Sequence, residues 1–457
     1  MSKVSNGREV VIIGGGFAGL AAGVALAKAG CAVRLLEQKP HLGGRASSFL
    51  DPATGSVVDN GQHLFMGCYQ QTIEFLKTIG TLDRLHFQPC LSIQFLERDG
   101  TMTGLACPRL PAPWHLLAGV LRSGSFTWSE KFEILRMRRA LGDTNSSSND
   151  HRALTVDDWL KGAGQSESLR RKFWNLICVA AMNEDPAIAS ALLFKRVLKL
   201  ALFGSPQESR LAIARVGLSA CYTDAAAQFI RARGGRVELG RSVTGMRITH
   251  GACEGVTLAG GEKIQAPNVL SAVPWNKFTR LLPPDLLPSD AFFTNILALR
   301  PAPIISVNLW FDRSVTDLEF AALRGTTIQW LFNKTRIFSE DGTRSVSCAP
   351  SYLSIVLSGA HQHIGRSKDD LVATALRELH GLLPATKPAK LVRSLVIKER
   401  FATFSPGVDV EDLRPPARTP IRGLYLAGDW TATGLPATIE GAVKSGYTAA
   451  REIVKPR

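Results

Sequence analysis

The 457-residue chain is 45% hydrophobic and 20% charged, a composition that excludes an intrinsically disordered protein and permits two or three domains. Its formal net charge of +15 favours a negatively charged partner, but not nucleic acid, because the sequence has no compact Lys/Arg block and no nucleic-acid-binding module. An anionic membrane surface is preferred, with general solubility as the alternative. No apolar run is long enough to span a bilayer, and the polar residues before Val10 do not form a signal peptide.

The eight cysteines are scattered along the chain and form no C-x-x-C pair. In a chain of this size such spacing indicates reduced thiols and argues against a disulfide framework or a zinc site. His361-Gln362-His363 also lacks the spacing and partners of a metal site and is predicted to lie in a surface loop. We therefore expect no bound metal and a cytoplasmic protein, with peripheral contact at the inner face of the cell membrane.

The predicted elements begin with a buried strand over Glu9–Ile13, followed by a glycine-rich turn and an apolar helix that reaches Ala29. The turn carries the pattern G-x-G-x-x-G, whose glycines permit a sharp turn, close approach of backbone amides to a pyrophosphate and tight helix–strand packing. The first helical residues direct N–H groups and the positive end of the helix dipole at the diphosphate. The predicted dinucleotide-binding residues of this turn are Gly14, Gly16, Phe17, Ala18 and Gly19.

A second strand, Ala32–Leu36, ends at Glu37, where an acidic residue would bind ribose hydroxyls. Strand, turn, helix, second strand and acid follow in the order of a dinucleotide-binding unit, and the alternative is a glycine-rich turn in another kind of α/β protein. Shortly afterwards, Gly43-Gly44-Arg45 places backbone amides and a guanidinium where they could meet the same diphosphate.

Two further segments carry polar groups at the ends of predicted strands. Residues 57–63 have the sequence V-V-D-N-G-Q-H, which predicts a strand followed by a polar cluster that includes Asp59 and His63. Near the C-terminus, a strand that begins at Leu424 ends in Gly428-Asp429, and a helix is predicted to open soon afterwards and to reach about Ile453.

These four segments together resemble the flavin amine oxidase and phytoene desaturase superfamily. V-D-N-G-Q-H with the C-terminal A-G-D-W-T and T-G-L-P-A-T-I-E-G-A-V is similar to one branch, the squalene-associated FAD-dependent desaturases, now understood as hydroxysqualene dehydroxylases. The resemblance covers both ends of the chain strongly and the middle loosely. It implies that the C-terminal A-G-D segment returns to the N-terminal sheet. It also implies FAD, bound without a covalent link because the C-terminal stretch has no cysteine, with Asp429 on the ribityl or diphosphate part. The other residues that it places at the cofactor are Val243, by its backbone at the adenine, and Gly428, Thr438 and Ile439 near the flavin.

The predicted fold is α/β, with a Rossmann-type FAD-binding domain, a mixed-sheet substrate domain and an inserted helical cap. In the cap, residues 142–150 are predicted to form a surface loop, and Thr155 is predicted to cap a helix. Later strands could form the antiparallel floor of a substrate tunnel. The predicted division assigns residues 1–107, 218–290 and 416–457 to the FAD-binding domain, 108–217 to the cap and 291–415 to the substrate sheet.

Asp59 and His63 are the candidates for catalytic polar groups near the flavin, and the alternative is that they only bind cofactor or brace the turn. Glu184 and Asp185 in the cap are weaker candidates for an acid. The branch implies hydride transfer from reduced FAD to an allylic carbon of hydroxysqualene as the hydroxyl leaves as water. The sequence does not identify the electron donor, because only one dinucleotide fingerprint is present: an NADPH-using partner and a diffusing nicotinamide such as NADPH both stay open. The oligomeric state is not predicted.

Two other classes of function stay open: oxidative chemistry, as a squalene or phytoene-type desaturase or an amine oxidase, and a non-catalytic flavin-containing lipid carrier. A C30 isoprenoid would have to enter from a membrane interface, because burying its methylenes is strongly favourable. Residues 191–203 predict a helix with Lys195, Arg196 and Lys199 on one face, which indicates either a membrane-surface element or a core helix with one solvated face. The segment near Trp114 is a weaker candidate for membrane contact.

Overall fold

The computed structural model describes residues 9–142, 153–202, 204–287, 290–338 and 351–455. Apart from Gly142, the loop predicted over 142–150 lies outside these residues, as do Phe203 and Cys348.

The strands of the described chain are β1 (Glu9–Ile13), β2 (Ala32–Leu36), β3 (Ser48–Leu50), β4 (Val57–Asp59), β5 (Phe65–Met66), β6 (Leu85–Phe87), β7 (Ser92–Leu96), β8 (Met102–Ala106), β9 (Leu211–Ala214), β10 (Arg236–Glu238), β11 (Val243–Thr249), β12 (Ala252–Leu258), β13 (Lys263–Gln265), β14 (Asn268–Ser271), β15 (Pro301–Phe311), β16 (Phe320–Leu323), β17 (Trp330–Asn333), β18 (Ser351–Leu357), β19 (Leu391–Phe404) and β20 (Leu424–Leu426).

The α-helices are α1 (Phe17–Lys28), α2 (Gln70–Ile79), α3 (Trp114–Arg122), α4 (Trp128–Gly142), α5 (Val156–Gly162), α6 (Glu167–Leu169), α7 (Asn175–Met182), α8 (Ala191–Leu202), α9 (Leu218–Arg231), α10 (Trp275–Phe278), α11 (Ala291–Ala298), α12 (Lys334–Ile337), α13 (Lys368–Leu382), α14 (Val410–Leu413) and α15 (Ile439–Val454). A π-helical segment, Arg170–Trp174, joins α6 to α7.

The first sheet has the strand order β10-β2-β1-β14-β20, and all its pairs are parallel. The four apolar residues of β1 are buried, as expected for a central strand covered on both faces. The C-terminal β20 pairs with β14 beside β1, so the two ends of the chain meet in one sheet, as predicted. Helix α1 packs directly on α15: a Cβ on Gly446 would lie 2.4 Å from the carbonyl oxygen of Ala18.

The second sheet has the order β19-β15-β18-β17-β16-β7-β8 and is antiparallel except for the β16–β7 pair. Strands β7 and β8 join it, although the sequence division assigned residues 1–107 to the FAD-binding domain. The physical reason is that the apolar side chains of β7, Phe95 and Leu96, are buried against this sheet. Strand β9 likewise pairs with β5 and β6 rather than belonging to a purely helical insertion. The rest of the domain division stays a prediction.

The cap consists mainly of α3 to α8. Thr155 caps α5 as predicted, since its hydroxyl accepts a hydrogen bond from the amide of Asp158 at 3.1 Å. Buried cap residues such as Phe126 and Trp174 belong to one hydrophobic cluster with Trp330 and Phe332 of the second sheet. Among the described helices, none is both long and apolar enough to cross a membrane.

Candidate flavin site

The turn between β1 and α1 accepts only glycine at two of its positions. Gly14 has φ +104°, and a Cβ on Gly19 would lie 1.9 Å from the carbonyl oxygen of Gly14. The nearest neighbours of a Cβ on Gly16 lie 3.9 Å away, in Gly43 and Gly44. The backbone of the turn thus packs closely against α1 at Gly14 and Gly19. At Gly16, by contrast, there is space for a ligand to approach the backbone.

The N-terminus of α1 fits a diphosphate. Within the described chain no side chain caps this helix at Gly16, and its first turn contains no acidic residue. No carboxylate of the helix itself therefore lies at the positive end of its dipole, which is the arrangement that binds anionic groups. Phe17 and Ala18, the first two helical residues, are buried.

Glu37 is buried beside this turn. One carboxylate oxygen accepts the Gly15 amide at 2.8 Å and the other accepts the Lys39 amide at 2.9 Å. Each carboxylate oxygen can still accept a further hydrogen bond, such as one from a ribose hydroxyl. The carbonyl of Glu37 accepts the Arg241 amide at 2.8 Å, which brings the start of β11, and hence Val243, to the same edge.

The G-G-R segment is held against the first turn. The Gly43 amide donates to the Gly15 carbonyl at 2.9 Å, and both Gly43 and Gly44 have positive φ. Tyr222 of α9 donates its hydroxyl to the carbonyls of Gly43 and Ala46 and stacks on Phe17 with ring centroids 3.7 Å apart. Sequence reasoning missed Tyr222, because nothing in its own segment indicates a contact with the glycine loops.

Arg45 joins the two ends of the chain. Its guanidinium donates to Asp429 at 2.6 Å and to the Ala402 carbonyl at 2.7 Å. Burial alone would lower the pKa of Arg45, but the Asp429 carboxylate more than offsets this effect and raises it. The structure therefore brings Arg45 and Asp429, both predicted cofactor residues, into one ion pair.

The loop after Asp429 is fixed by a buried arginine that sequence reasoning missed. Arg414 donates to the Asp429 carbonyl at 2.9 Å, to the Thr433 hydroxyl at 2.7 Å and to the Leu435 carbonyl at 2.8 Å. Glu411 balances its charge at 2.7 Å. No motif surrounds Arg414 in the sequence. Its role becomes visible only in the structure, where the segment from Asp429 to Leu435 folds back onto it.

Helix α15 begins where the resemblance placed the flavin-facing turn. Thr438 caps it by accepting the Gly441 amide at 3.0 Å, and Ile439 is its first, buried residue. The Gly428 amide donates to Ser445 of the same helix at 2.7 Å. The three predicted residues of this region thus lie at one corner, next to Asp429.

Asp59 lies in a buried network instead of projecting freely. It accepts hydrogen bonds from the Ser48 hydroxyl at 2.7 Å, the Leu218 amide at 2.9 Å and the Lys334 ammonium at 2.8 Å. Lys334 also donates to Gln62 at 2.8 Å and is itself 1% exposed. Burial lowers the pKa of Lys334, and Asp59 only partly offsets this. Lys334 was missed because no pattern in the sequence pairs it with residue 59.

His63 stands beside this network. Burial lowers its pKa to about 4; the Asp59 carboxylate opposes this effect, while Arg45 and Lys334 add to it. At neutral pH the imidazole is therefore uncharged and can both donate and accept a hydrogen bond. The charges of Arg45, Asp59 and Lys334 thus all act on His63.

The weaker acid candidates lie in a different cluster. Glu184 is buried, contacts His361 at 3.0 Å and accepts the Ser405 hydroxyl at 2.5 Å. Asp185 accepts the Ala187 amide at 2.8 Å. Both carboxylates thus brace the cap, and neither hydrogen-bonds to the Asp59 network within the described residues. In the part of the chain that the structure covers, no cluster of His, Cys, Asp and Glu is arranged to hold a metal.

The cations of α8 do not form a free basic face. Lys195 is buried with its ammonium 5.6 Å from the centre of the Trp159 ring, and Arg196 pairs with Glu411 at 2.5 Å. Lys199 is exposed, and the side chain of Arg196 is 42% exposed. Helix α8 is therefore the core helix with a partly solvated face that the sequence left as the alternative.

Comparison with known proteins agrees with this geometry. The family model for flavin-containing amine oxidoreductases matches residues 17–454. A 15-cis-phytoene desaturase of an Oncidium hybrid cultivar is 30% identical over 98% of the chain and 78% of its own length. A hydroxysqualene dehydroxylase of Rhodopseudomonas palustris is 30% identical over 97% of both chains, and a 15-cis-phytoene desaturase of Synechococcus elongatus is 26% identical over 98% and 96%.

Solved structures share the fold at low identity. An oxidoreductase from Methanosarcina mazei superposes with a TM-score of 0.73 at 17% identity, covering 97% of this chain and all of that one. A putrescine oxidase bound to putrescine gives a TM-score of 0.70 at 17% identity, covering 98% and 99%. A flavin is the cofactor of this family, and the glycine turn, the uncapped α1 and Glu37 fit its dinucleotide. The chain belongs to the family of flavin-containing amine oxidoreductases.

Proposed function

We propose that this protein is an FAD-dependent hydroxysqualene dehydroxylase that converts hydroxysqualene to squalene in hopanoid biosynthesis. The observation that carries the proposal is the similarity to the Rhodopseudomonas palustris enzyme, which extends over 97% of both chains at 30% identity. The Synechococcus elongatus desaturase, at comparable coverage, is 26% identical.

The surroundings of the site support an apolar substrate. On β16 and β17, the rings of Phe320, Phe332 and Trp330 stack in a row, with centroids 6.1 and 6.4 Å apart. These rings belong to the cluster that also contains aromatic residues of the cap. The same cluster includes Trp430, next to Asp429 of the candidate flavin site, and we propose that its apolar interior accommodates a hydrocarbon and keeps water from a developing allyl cation.

The residues near the site can be assigned roles in the reductive removal of a hydroxyl group. Reduced FAD supplies a hydride when bound, and the substrate carbon gains it as the C–O bond breaks. The departing oxygen takes one proton and leaves as water, so the hydride and the proton together account for the two hydrogens that fully reduced FAD loses. His63, neutral and able to donate a hydrogen bond, is the group that we assign to this oxygen, while Asp59 and Lys334 compensate each other's charge and hold Gln62. NADPH is the reductant that we propose for the next turnover.

Desaturation of a related isoprenoid is the second candidate, favoured by the 30% identity to the Oncidium desaturase. Amine oxidation is less well supported by the site. Trp430, the aromatic residue that could have formed a cage around an amine, is fully buried and donates its indole N–H to the Val273 carbonyl at 3.0 Å. It packs on Phe278 and does not present its ring to a ligand.

The decisive experiment uses the purified flavoprotein under anaerobic conditions. With the flavin reduced, we expect hydroxysqualene to cause rapid reoxidation and to yield squalene. Bleaching of the oxidised flavin by squalene or phytoene, with no reaction of the reduced form, would instead establish a desaturase. Tight lipid binding without any redox change would establish the lipid-carrier function. Adding NADPH alone to the oxidised protein tests the reductant, and no bleaching would point to a partner reductase.

A further inference from the structure

The exposed tryptophans of this protein are concentrated in one place. Six of its eight tryptophans are buried, and the other two, Trp114 and Trp128, are 59% and 67% exposed. Both begin cap helices, α3 and α4. Phe132, 63% exposed, Leu121 and Leu110 add three large apolar side chains within the same short segment.

The two helices present these side chains as one surface. On α3, Trp114 and Leu121 are two turns apart, and on α4, Trp128 and Phe132 are one turn apart, so each pair shares a helix face. Lys131 joins the two pairs: its ammonium donates to the Leu121 carbonyl at 2.8 Å and lies 4.6 Å from the centre of the Trp128 ring. We call Leu110, Trp114, Leu121, Trp128 and Phe132 the aromatic patch.

The charge around the aromatic patch is positive. Arg109 and Arg122 are exposed next to Leu110 and Leu121 in the sequence, and the exposed Arg136 lies one helical turn after Phe132. The acidic residues of α4 are engaged elsewhere: Glu130 is buried and pairs with Lys172 at 2.6 Å, and Glu133 accepts the Ser166 amide at 2.8 Å. Tryptophan, phenylalanine and leucine flanked by arginine are the residues that settle at the interface of an anionic bilayer.

From these contacts we infer that the aromatic patch docks on an anionic membrane surface. A second copy of the chain is a poorer partner, because it would oppose the same arginines and a net charge of +15. The buried side of the same segment, with Val120 and Phe126, belongs to the hydrophobic cluster that includes Trp330 and Phe332. Docking would thus place the bilayer next to the apolar interior of the cap. The inference does not depend on which isoprenoid reaction the protein performs.

Sedimentation with vesicles tests the inference. The full-length flavoprotein should bind vesicles of phosphatidylglycerol and phosphatidylcholine, bind pure phosphatidylcholine much less, and dissociate as salt is raised. The triple variant Trp114→Ser, Trp128→Ser, Phe132→Ser should lose at least about tenfold in partitioning. The matched control replaces three exposed apolar residues elsewhere, Leu50→Ser, Leu297→Ser and Val392→Ser, and should bind as the wild type does.

Fluorescence gives a second readout that does not depend on activity. Because the other tryptophans are buried, vesicle binding should shift the emission of Trp114 and Trp128 to the blue and expose it to quenching by brominated lipid. The variant Trp114→Phe, Trp128→Phe should bind without this change. Equal vesicle binding by the serine triple and the control triple would overturn the inference, as would wild-type protein that ignores anionic vesicles but dimerises through this surface.

Discussion

The residues around the candidate flavin site, which we call the cofactor half, hold their charged side chains differently from the short cap helices α5 and α6. In the cofactor half, Glu37, Asp59, Lys334, Asp429 and Arg414 are buried, and each is held by a backbone group or by an opposite charge. In the cap, pairs such as Lys161–Asp157 and Arg171–Glu167 lie one helical turn apart at the surface.

This difference reflects the cost of burying charge. A buried ion without a partner is expensive, so the charges of the cofactor half must be positioned by residues from distant parts of the chain. A surface pair contributes little and tolerates change. The cap exposes the aromatic patch, and the cofactor half is where polar geometry is fixed. The Lys334 and Gly19 experiments below each compare one change in the cofactor half with one in the cap.

The largest effect is expected from breaking the Asp59–Lys334 pair. Lys334→Met leaves the carboxylate of Asp59 buried without its ammonium partner and should lower the free energy of unfolding by about 3–5 kcal/mol. Urea denaturation followed by far-UV circular dichroism measures this change in the free energy of unfolding. The matched cap variant, Lys161→Met, removes a lysine that is 54% exposed and should cost about 0–1 kcal/mol.

A double variant sharpens this prediction. Asp59→Asn combined with Lys334→Met removes both charges, while the asparagine oxygen can still accept from Ser48 and the Leu218 amide. We expect it to recover much of the stability lost in Lys334→Met alone. Additive losses from the two changes would show that the pair is not coupled.

The next effect concerns the glycine turn. Gly19→Ala would place a methyl group 1.9 Å from the Gly14 oxygen, so α1 must shift, at a cost of about 1–3 kcal/mol. We expect the protein to be purified with little or no flavin, as judged by its visible absorbance. Gly162→Ala at the end of α5 meets no atom within 4 Å and should keep both flavin and stability. A fully yellow Gly19→Ala protein would contradict the turn geometry.

The last effect is a pH dependence, which is absent at neutral pH. The pKa of His63 is about 4 in the folded protein against an ordinary 6.5, so the unfolded chain binds more protons between these values. Stability from the neutral imidazole is present above pH 6.5 and is lost as the pH falls through 4. His63→Gln should flatten the fall in melting temperature over this window, whereas His86→Gln, at an exposed histidine, should not. Parallel curves for wild type and His63→Gln would refute the lowered pKa of His63.

Local sequence was sufficient where one short segment contains the whole physical argument. The strand Glu9–Ile13, the glycine turn, α1 and Glu37 are contiguous, and steric limits at Gly14 and Gly19 allow few alternatives. Thr155 as a helix cap is equally local, because its partner is the amide three residues later. The pairing of the C-terminal strand with the N-terminal sheet came from the family resemblance.

Tertiary structure decided which residues complete the site and which surface of the cap is exposed. Lys334, Arg414 and Tyr222 act on groups far away in the sequence, and a lone lysine, arginine or tyrosine carries no periodic signal. The sequence of α8 likewise predicts a basic face, but whether Lys195 is buried depends on Trp159, which lies in another helix. Sequence alone determines local geometry and the cofactor class, whereas the partner of each buried charge depends on how distant segments pack together.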